Sequence, residues 1–224
     1  MTIGFRVLER SRAVDANVVR DFRALPVANV SDVMARMTAG GSRLRPMHAG
    51  GGMAGPALTV KARPGDNLMV HKALQMAQAG DVIVVDAGGD LTNAIIGELM
   101  LAHAEAIGLG GFVIDGAIRD SAAIRAGSLP VYAAGVTHRG PYKDGPGEVN
   151  VPVAIDGMVV APGDLVIGDE DGFLCVPFDD TDAVYRAAKA KHAAEEQMMA
   201  ETRKGNVRKP WVDQRLKELG WNGL

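Results

Sequence analysis

One cysteine, Cys175, stands in 224 residues, which excludes an internal disulfide and any cysteine-based zinc cluster. It lies in the apolar run FLCVP, where a thiol behaves as a small buried hydrophobe rather than a nucleophile. Aromatic residues are also scarce, at 4 %, too few for a platform that stacks single-stranded nucleic acid. Positive charge is not in excess. The 24 Lys and Arg against 27 Asp and Glu leave a net charge of -3, so no nucleic-acid partner is expected. Long uncharged apolar runs are missing too. The opening MTIGFRVLERSR has no signal-peptide core, and no window spans a membrane without a charge or a glycine pair. The expectation is a cytoplasmic protein with no membrane partner. What is present is ordinary for a globular domain, 47 % hydrophobic and 23 % charged, in a chain long enough for a substantial core.

The pattern along the chain predicts one α/β domain over residues 1–180 and a helix with a tail over 181–224. Residues 15–37 carry two short helical patterns, the second capped by Ser31 or Asn29 with Val33, Met34 and Met37 on one face. Residues 38–55 are glycine-rich and read as loop. From there ALTVKA reads as a strand, NLMVHKALQMAQAG as a helix and DVIVVDA as a strand. GELMLAHAEAIGLG reads as a helix, GFVID as a strand, RDSAAIRAG as a short helix and LPVYAAG as a strand. Strands separated by helices imply a parallel core, with ligands beyond the C-terminal strand ends. After a polar loop at 135–146, the short runs VPVAI, MVVAPGD, LVIGDEDG and FLCVP predict an antiparallel layer. Residues 181–203 form an Ala-rich helical pattern. The tail beyond it, with both tryptophans, reads as an arm for a neighbouring subunit.

Two stretches carry chemistry. In IIGELM (95–100), a helix starts at Gly97 and Glu98 after a strand and turn, so free backbone N–H groups can form an anion pocket. The plainer reading is helix initiation, with Glu98 favoured in the first turn by the dipole. In GFVIDGAIRDS (111–121), Arg119 offers a planar fork for a carboxylate and Asp120 a hard oxygen for Mg²⁺ or Mn²⁺. The plainer reading there is an Arg–Asp ion pair plus a helix cap. Their occurrence at successive strand–helix junctions, which open on the same sheet edge, favours one shared site. Asp115 reads as structural.

The runs GDVIVVDAGGD, GELM, GFVIDGAIRD and GDLVIGDEDGFLCVP, across about residues 25–200, resemble the 4-hydroxy-4-methyl-2-oxoglutarate aldolases. That family also contains the regulator of ribonuclease activity A. The resemblance implies an αββαβ sandwich of the phosphohistidine-swivelling type, assembled as trimers or hexamers with sites between subunits. It implies Asp120 as the ligand of Mg²⁺ (or Mn²⁺) and Arg119 as the residue that binds a small 2-oxo acid and stabilises its enolate. Glu98 would accept from waters around the metal, and the backbone N–H groups of Leu99 and Met100 beside Gly97 would hold the substrate carboxylate. Glu195 or Glu196 would reach the metal's waters from the adjacent subunit. The activity implied is a metal-dependent aldolase yielding pyruvate, with oxaloacetate decarboxylation through the same enolate. The alternative within the family is a protein-binding inhibitor of ribonuclease E or a helicase.

Other reactive residues are better explained otherwise. Lys61 in a strand and Lys72 on a helix read as solvated rather than Schiff-base lysines. His71 and His103 read as packing or subunit-contact residues. His48 and His138 lack a second histidine at zinc-ligand spacing. Asp169, Glu170 and Asp171 read as a hairpin turn, and Gly50-Gly51-Gly52 lacks the Lys-Ser/Thr of a phosphate loop.

Overall fold

The computed structural model describes residues 2–38 and 40–222. Its centre is a mixed sheet in the order β1 (Arg45–Pro46)–β6–β5–β3–β2–β10–β11, with β4 added to β5 and β7 to β2. The sheet curls into a nearly closed, barrel-like form in a mixed α/β fold. Parallel strands β2 (Met53–Ala62), β3 (Val82–Asp86), β5 (Gly111–Ile118) and β6 (Val131–Val136) form its middle. The strand β2 is ten residues long because it serves two partners on one side. Its first half pairs with β10 (Leu165–Asp169) and its second with β7 (Gly147–Val149).

Both faces of the middle strands are covered, which is why VIVV and FVI read as continuous apolar runs. Val82, Val84 and Val113 pack beneath Phe22 and Val30 of α1 (Ala16–Arg23) and α2 (Val27–Val33). Ile83, Val85, Phe112 and Ile114 pack beneath α3 (Leu68–Met76), α4 (Glu98–Ile107) and α5 (Ser121–Ala126), through Val70, Leu74, Leu101 and Ile124. The hairpins β8–β9 (Val153–Ile155, Met158–Val160) and β10–β11 (Gly172–Val176) are antiparallel, as their patterns predict. The Ala-rich segment is one helix, α6 (Thr181–Arg203).

The stretch 38–55, read as loop, holds β1 and the first residues of β2, β7 has no counterpart in the sequence reading, and three further elements differ from it. First, α2 begins at Val27, so Asn29 and Ser31 lie inside it. Its cap comes from far away: Asp169 Oδ2 accepts the Val27 N–H at 3.0 Å. Asp15, by contrast, caps α1 locally, accepting from Asn17 and Val18. Second, GFVID is only the first part of β5. The strand continues through a bulge, where Ile114 to Ala117 oppose Ala133 to Gly135 of β6. Third, β4 (Ala94–Ile96) is an additional strand that takes over beside β5 where β3 ends: Asp86 pairs with Asp115, and Ala94 with Ala117.

Asp115 is therefore a strand residue, 5 % exposed, and Arg43 Nη2 stands 2.6 Å from its Oδ1 while also binding Asp156. The Arg43–Asp115 approach is a close charge contact, not an aligned hydrogen bond, since that oxygen has no hydrogen-bond donor among the described residues. Burial lifts the Asp115 carboxyl above the usual range, and Arg43 pulls it partly back. Removing the cation strands a buried acid. Arg43→Met is expected to lower unfolding free energy by about 2 kcal/mol in urea denaturation.

Candidate functional site

The handover from β3 to β4 builds the site. With Ile96 beside Ile118, the residues that follow each strand, Gly97 and Arg119, emerge side by side, and the Arg119 N–H donates to the Ile96 carbonyl at 3.0 Å. Gly97 then opens α4 and Asp120 precedes α5. The two motifs meet through one bond: the Glu98 N–H donates to Asp120 Oδ2 at 2.9 Å.

That bond excludes the plainer reading of Asp120 as a helix cap. Its side chain makes no capping bond to α5 but crosses to the start of α4. To do so Asp120 adopts a left-handed backbone, φ 56° and ψ 39°, a conformation that costs a non-glycine residue about 1 kcal/mol or more. Strain of this kind, held by its surroundings, is common at functional sites. The Arg119–Asp120 ion pair does not explain it. Nε stands 3.6 Å from Oδ2 with both side chains 42 % exposed, a geometry worth about 0–1 kcal/mol. One Asp120 oxygen is anchored and the other accepts no hydrogen bond among the described residues.

Gly97 is needed for this approach. A Cβ there would stand 2.5 Å from Asp120 Oδ2 and 3.0 Å from both Cγ and Nε of Arg119. At the helix start the Met100 N–H donates to the Gly97 carbonyl, whereas the Leu99 N–H has no acceptor among the described residues. The Glu98 side chain is exposed and makes no hydrogen bond among those residues.

A cavity of about 190 Å³ adjoins the pair, lined among others by Asn67, His71, Met100, Arg119, Pro141 and Lys143. The loop after β6 closes over it, with Gly140 against Arg119 and its carbonyl accepting from Asn93 Nδ2 at 2.5 Å. Sequence reasoning assigned His71 to packing and did not single out Asn67 or Lys143; no local motif marks them, because the fold brings them in from separate loops.

Burial, with the charges of Lys143 and His103 nearby, holds the His71 imidazole below its ordinary value of 6.5. It is therefore neutral at pH 7. As pH falls below about 6.5 the unfolded chain takes up this proton before the folded one does, so stability is lost in that window. His71→Gln is expected to make melting temperature fall less steeply than wild type from pH 7 toward pH 5, read by thermal melts.

Glu195 and Glu196 lie elsewhere. Glu195 pairs with Lys191 at 2.8 Å and accepts from Asn29 Nδ2 at 2.6 Å, tying α6 to α2. Glu196 stands 3.8 Å from His192. Both line a larger groove of about 590 Å³ between α2 and α6, with Asp32 and Met199, and neither lines the Arg119 cavity of its own chain. No group of three or more His, Cys, Asp or Glu side chains able to hold a metal occurs among the described residues. A hard cation bound at Asp120 would thus have one protein carboxylate, with water and substrate completing the shell, a mode that suits Mg²⁺.

Fold and site together define an α/β protein in which an acid, next in sequence to an arginine, is anchored on a helix start. The chain belongs to the RraA-like family: the family model described as Aldolase/RraA matches residues 27–175. A Halalkalibacterium halodurans protein provisionally named 4-hydroxy-4-methyl-2-oxoglutarate aldolase is 40 % identical over 182 residues, covering 81 % of this chain and 87 % of the relative. Among solved structures, Streptomyces coelicolor RraAS2, described as an unusual member of the RNase ES inhibitor RraA family, is 27 % identical with a TM-score of 0.77. The match covers 84 % of this chain and 98 % of that one. The RNA-processing inhibitor RraA of Thermus thermophilus is 32 % identical with a TM-score of 0.63, over 68 % of this chain and 92 % of that one.

Proposed function

We propose that this protein is a divalent-metal-dependent lyase that cleaves 4-hydroxy-4-methyl-2-oxoglutarate, or a related 4-hydroxy-2-oxo acid, to pyruvate. The observation that carries the reading is the Glu98 N–H bond to Asp120, which holds a strained carboxylate beside Arg119 with one oxygen free. A structural ion pair needs neither the strain nor the glycine at 97. The relative from H. halodurans supports the same reading.

Asp120 would hold Mg²⁺ or Mn²⁺, which supplies Lewis-acid polarisation of the 2-oxo group when bound. The Leu99 N–H at the positive end of α4, which has no acceptor among the described residues, would donate to the substrate carboxylate. As a solvent base takes the 4-hydroxyl proton, C4 becomes a carbonyl and the electron pair of the breaking C3–C4 bond becomes the pyruvate enolate. Arg119 would donate to the C2 oxygen that turns negative, and a proton from water at C3 completes pyruvate. Glu98 at the mouth accepts from the waters that surround the site. In an assembly of trimers or hexamers, Glu195 or Glu196 of a neighbouring chain would add acceptors from the open side. Oxaloacetate should lose CO₂ at the same site, because its decarboxylation passes through the same enolate.

The two solved RraA structures, described as an RNase ES inhibitor family member and an RNA-processing inhibitor, support a second reading, a protein-binding inhibitor of a ribonuclease without catalysis. Arg119→Ala separates the two. The lyase reading expects kcat for oxaloacetate decarboxylation to fall about 10²–10³-fold with stability changed by less than about 1 kcal/mol. Wild-type protein inactive on every 4-hydroxy-2-oxo acid but able to inhibit a ribonuclease would favour the inhibitor instead.

A further inference from the structure

Another cavity lies at the far edge of the sheet from the Arg119 site. It encloses about 440 Å³ between α1 and the turn that leads into β3, a size that suits a small organic molecule. Arg10, Val19, Arg20, Arg23, Pro56 and Asp81 are among its lining. Asp81 precedes the first residue of β3, whereas Gly97 and Arg119 follow the last residues of β4 and β5. The two sites therefore sit at opposite ends of the parallel strands.

The cavity is cationic in an anionic chain: three arginines against one aspartate leave its lining at +2, where the whole chain carries -3. Arg10 and Asp81 neutralise each other. Arg10 Nη1 stands 2.8 Å from Asp81 Oδ1, with the side chains 13 % and 2 % exposed, and Asp81 Oδ2 accepts the Gln78 N–H. Arg23 has no carboxylate partner among the described residues. Its Nη2 donates to the Ala54 carbonyl at 3.2 Å, which steadies the guanidinium and leaves its charge unmatched. Arg20 meets only Asp21, at 3.4 Å on the exposed surface, a pairing of little worth.

The plainer reading is that Arg20 and Arg23 complement the C-terminal end of the α1 dipole. It leaves the geometry unexplained. Arg23 reaches across to β2 instead of to the last carbonyls of α1, and Arg10 enters the same cavity from a different segment. All three arginines precede residues 27–175, so the charge comes from outside the region that matches the family model. Arg20 and Arg23 stand one turn apart on α1, close enough for both planar forks to grip one carboxylate. Half-buried Val19 and Pro56 add an apolar wall, which a bare anion would leave uncovered.

We propose that this cavity binds a small organic carboxylate with an apolar body, its charge between Arg20 and Arg23 and its body against Val19 and Pro56. The site is separate from the chemistry at Asp120, and neither depends on the other.

Fluorine NMR of 4-fluorobenzoate tests this on the full chain, because the probe's line broadens on binding whatever the assembly state. The expected result is broadening at millimolar probe that persists in Arg119→Ala. The double variant Arg20→Gln/Arg23→Gln should weaken binding at least about tenfold, the loss of two charge-assisted contacts. Both side chains are exposed, so the fold is kept. Neutral 4-fluorobenzamide tests the same charge without a variant and should bind at least about tenfold more weakly. Inorganic phosphate should displace the probe only at higher concentration, since it has nothing to set against Val19 and Pro56. The proposal is overturned if wild type does not bind the probe, or if the double variant or the benzamide binds as well. It is equally overturned if Arg119→Ala abolishes binding, which would put the anion in the catalytic cavity. Displacement by phosphate at equal or lower concentration would overturn it too, as a site for bare anions.

Discussion

Asp120→Asn is expected to lower kcat for pyruvate release about a thousandfold while leaving stability within about 0.5 kcal/mol of wild type. Asparagine keeps the size of the side chain, tolerates the left-handed backbone at φ 56° and retains an oxygen to accept the Glu98 N–H. What it loses is the charge that would hold a divalent cation, and Lewis-acid stabilisation worth several kcal/mol corresponds to about that factor in rate. Turnover and thermal melts on the same preparation check it. Activity that survives in Asp120→Asn would remove the metal from the account, whereas a large loss of stability would make Asp120 a structural residue. Asp120→Gly sharpens the comparison, because it relieves the backbone strain as it removes the carboxylate. It should be inactive and no less stable.

Gly97→Ala carries the second large effect, and it acts through a methyl group that bears no chemistry. Backbone freedom is not the issue, since φ at Gly97 is -152°, which any residue adopts. The added Cβ would stand 2.5 Å from Asp120 Oδ2, an oxygen already held by the Glu98 N–H, and 3.0 Å from Arg119. Both functional side chains must move together. Misplacement by about 1 Å commonly costs about a hundredfold in rate, and that is the expected loss in kcat/KM. Because both displaced groups are partly exposed, melting temperature should change little. Wild-type activity in Gly97→Ala would mean that the contact between the two motifs is incidental.

Much of this site could be read from local pattern. The strand–helix alternation located both junctions, and each motif sits where a strand hands over to a helix, so Gly97, Glu98, Arg119 and Asp120 came forward together. Their joining could not be read in that way. It depends on β4, three buried residues (AII) too few for a separate strand signal before Gly97 and Glu98 open α4. It depends also on the bulge in β5, which no local pattern marks; Asp115, read as the end of the strand GFVID and as structural, is buried there against Arg43, a cation far away in sequence. The start of α2 was missed for a similar reason, since Asp169 caps it across the fold while Asn29 and Ser31 only look like local caps. The helix at 181–203 was legible to the residue, because a long run dominated by Ala, Lys, Glu, Arg and Met, free of Gly and Pro until Gly205, needs no tertiary information. Asn67 and His71, one turn apart at the start of α3, and Lys143, in the loop after β6, come to the Arg119 cavity only through folding.

The central claim is metal-dependent carbon–carbon cleavage at Asp120 and Arg119. Its most direct test is pyruvate release from 4-hydroxy-4-methyl-2-oxoglutarate by the purified protein, assayed with Mg²⁺, after EDTA, and after Mg²⁺ is restored. The account predicts release with Mg²⁺, none in EDTA, and recovery on restoring the metal. Well-folded protein that releases no pyruvate with Mg²⁺, or releases it undiminished in EDTA, would contradict it.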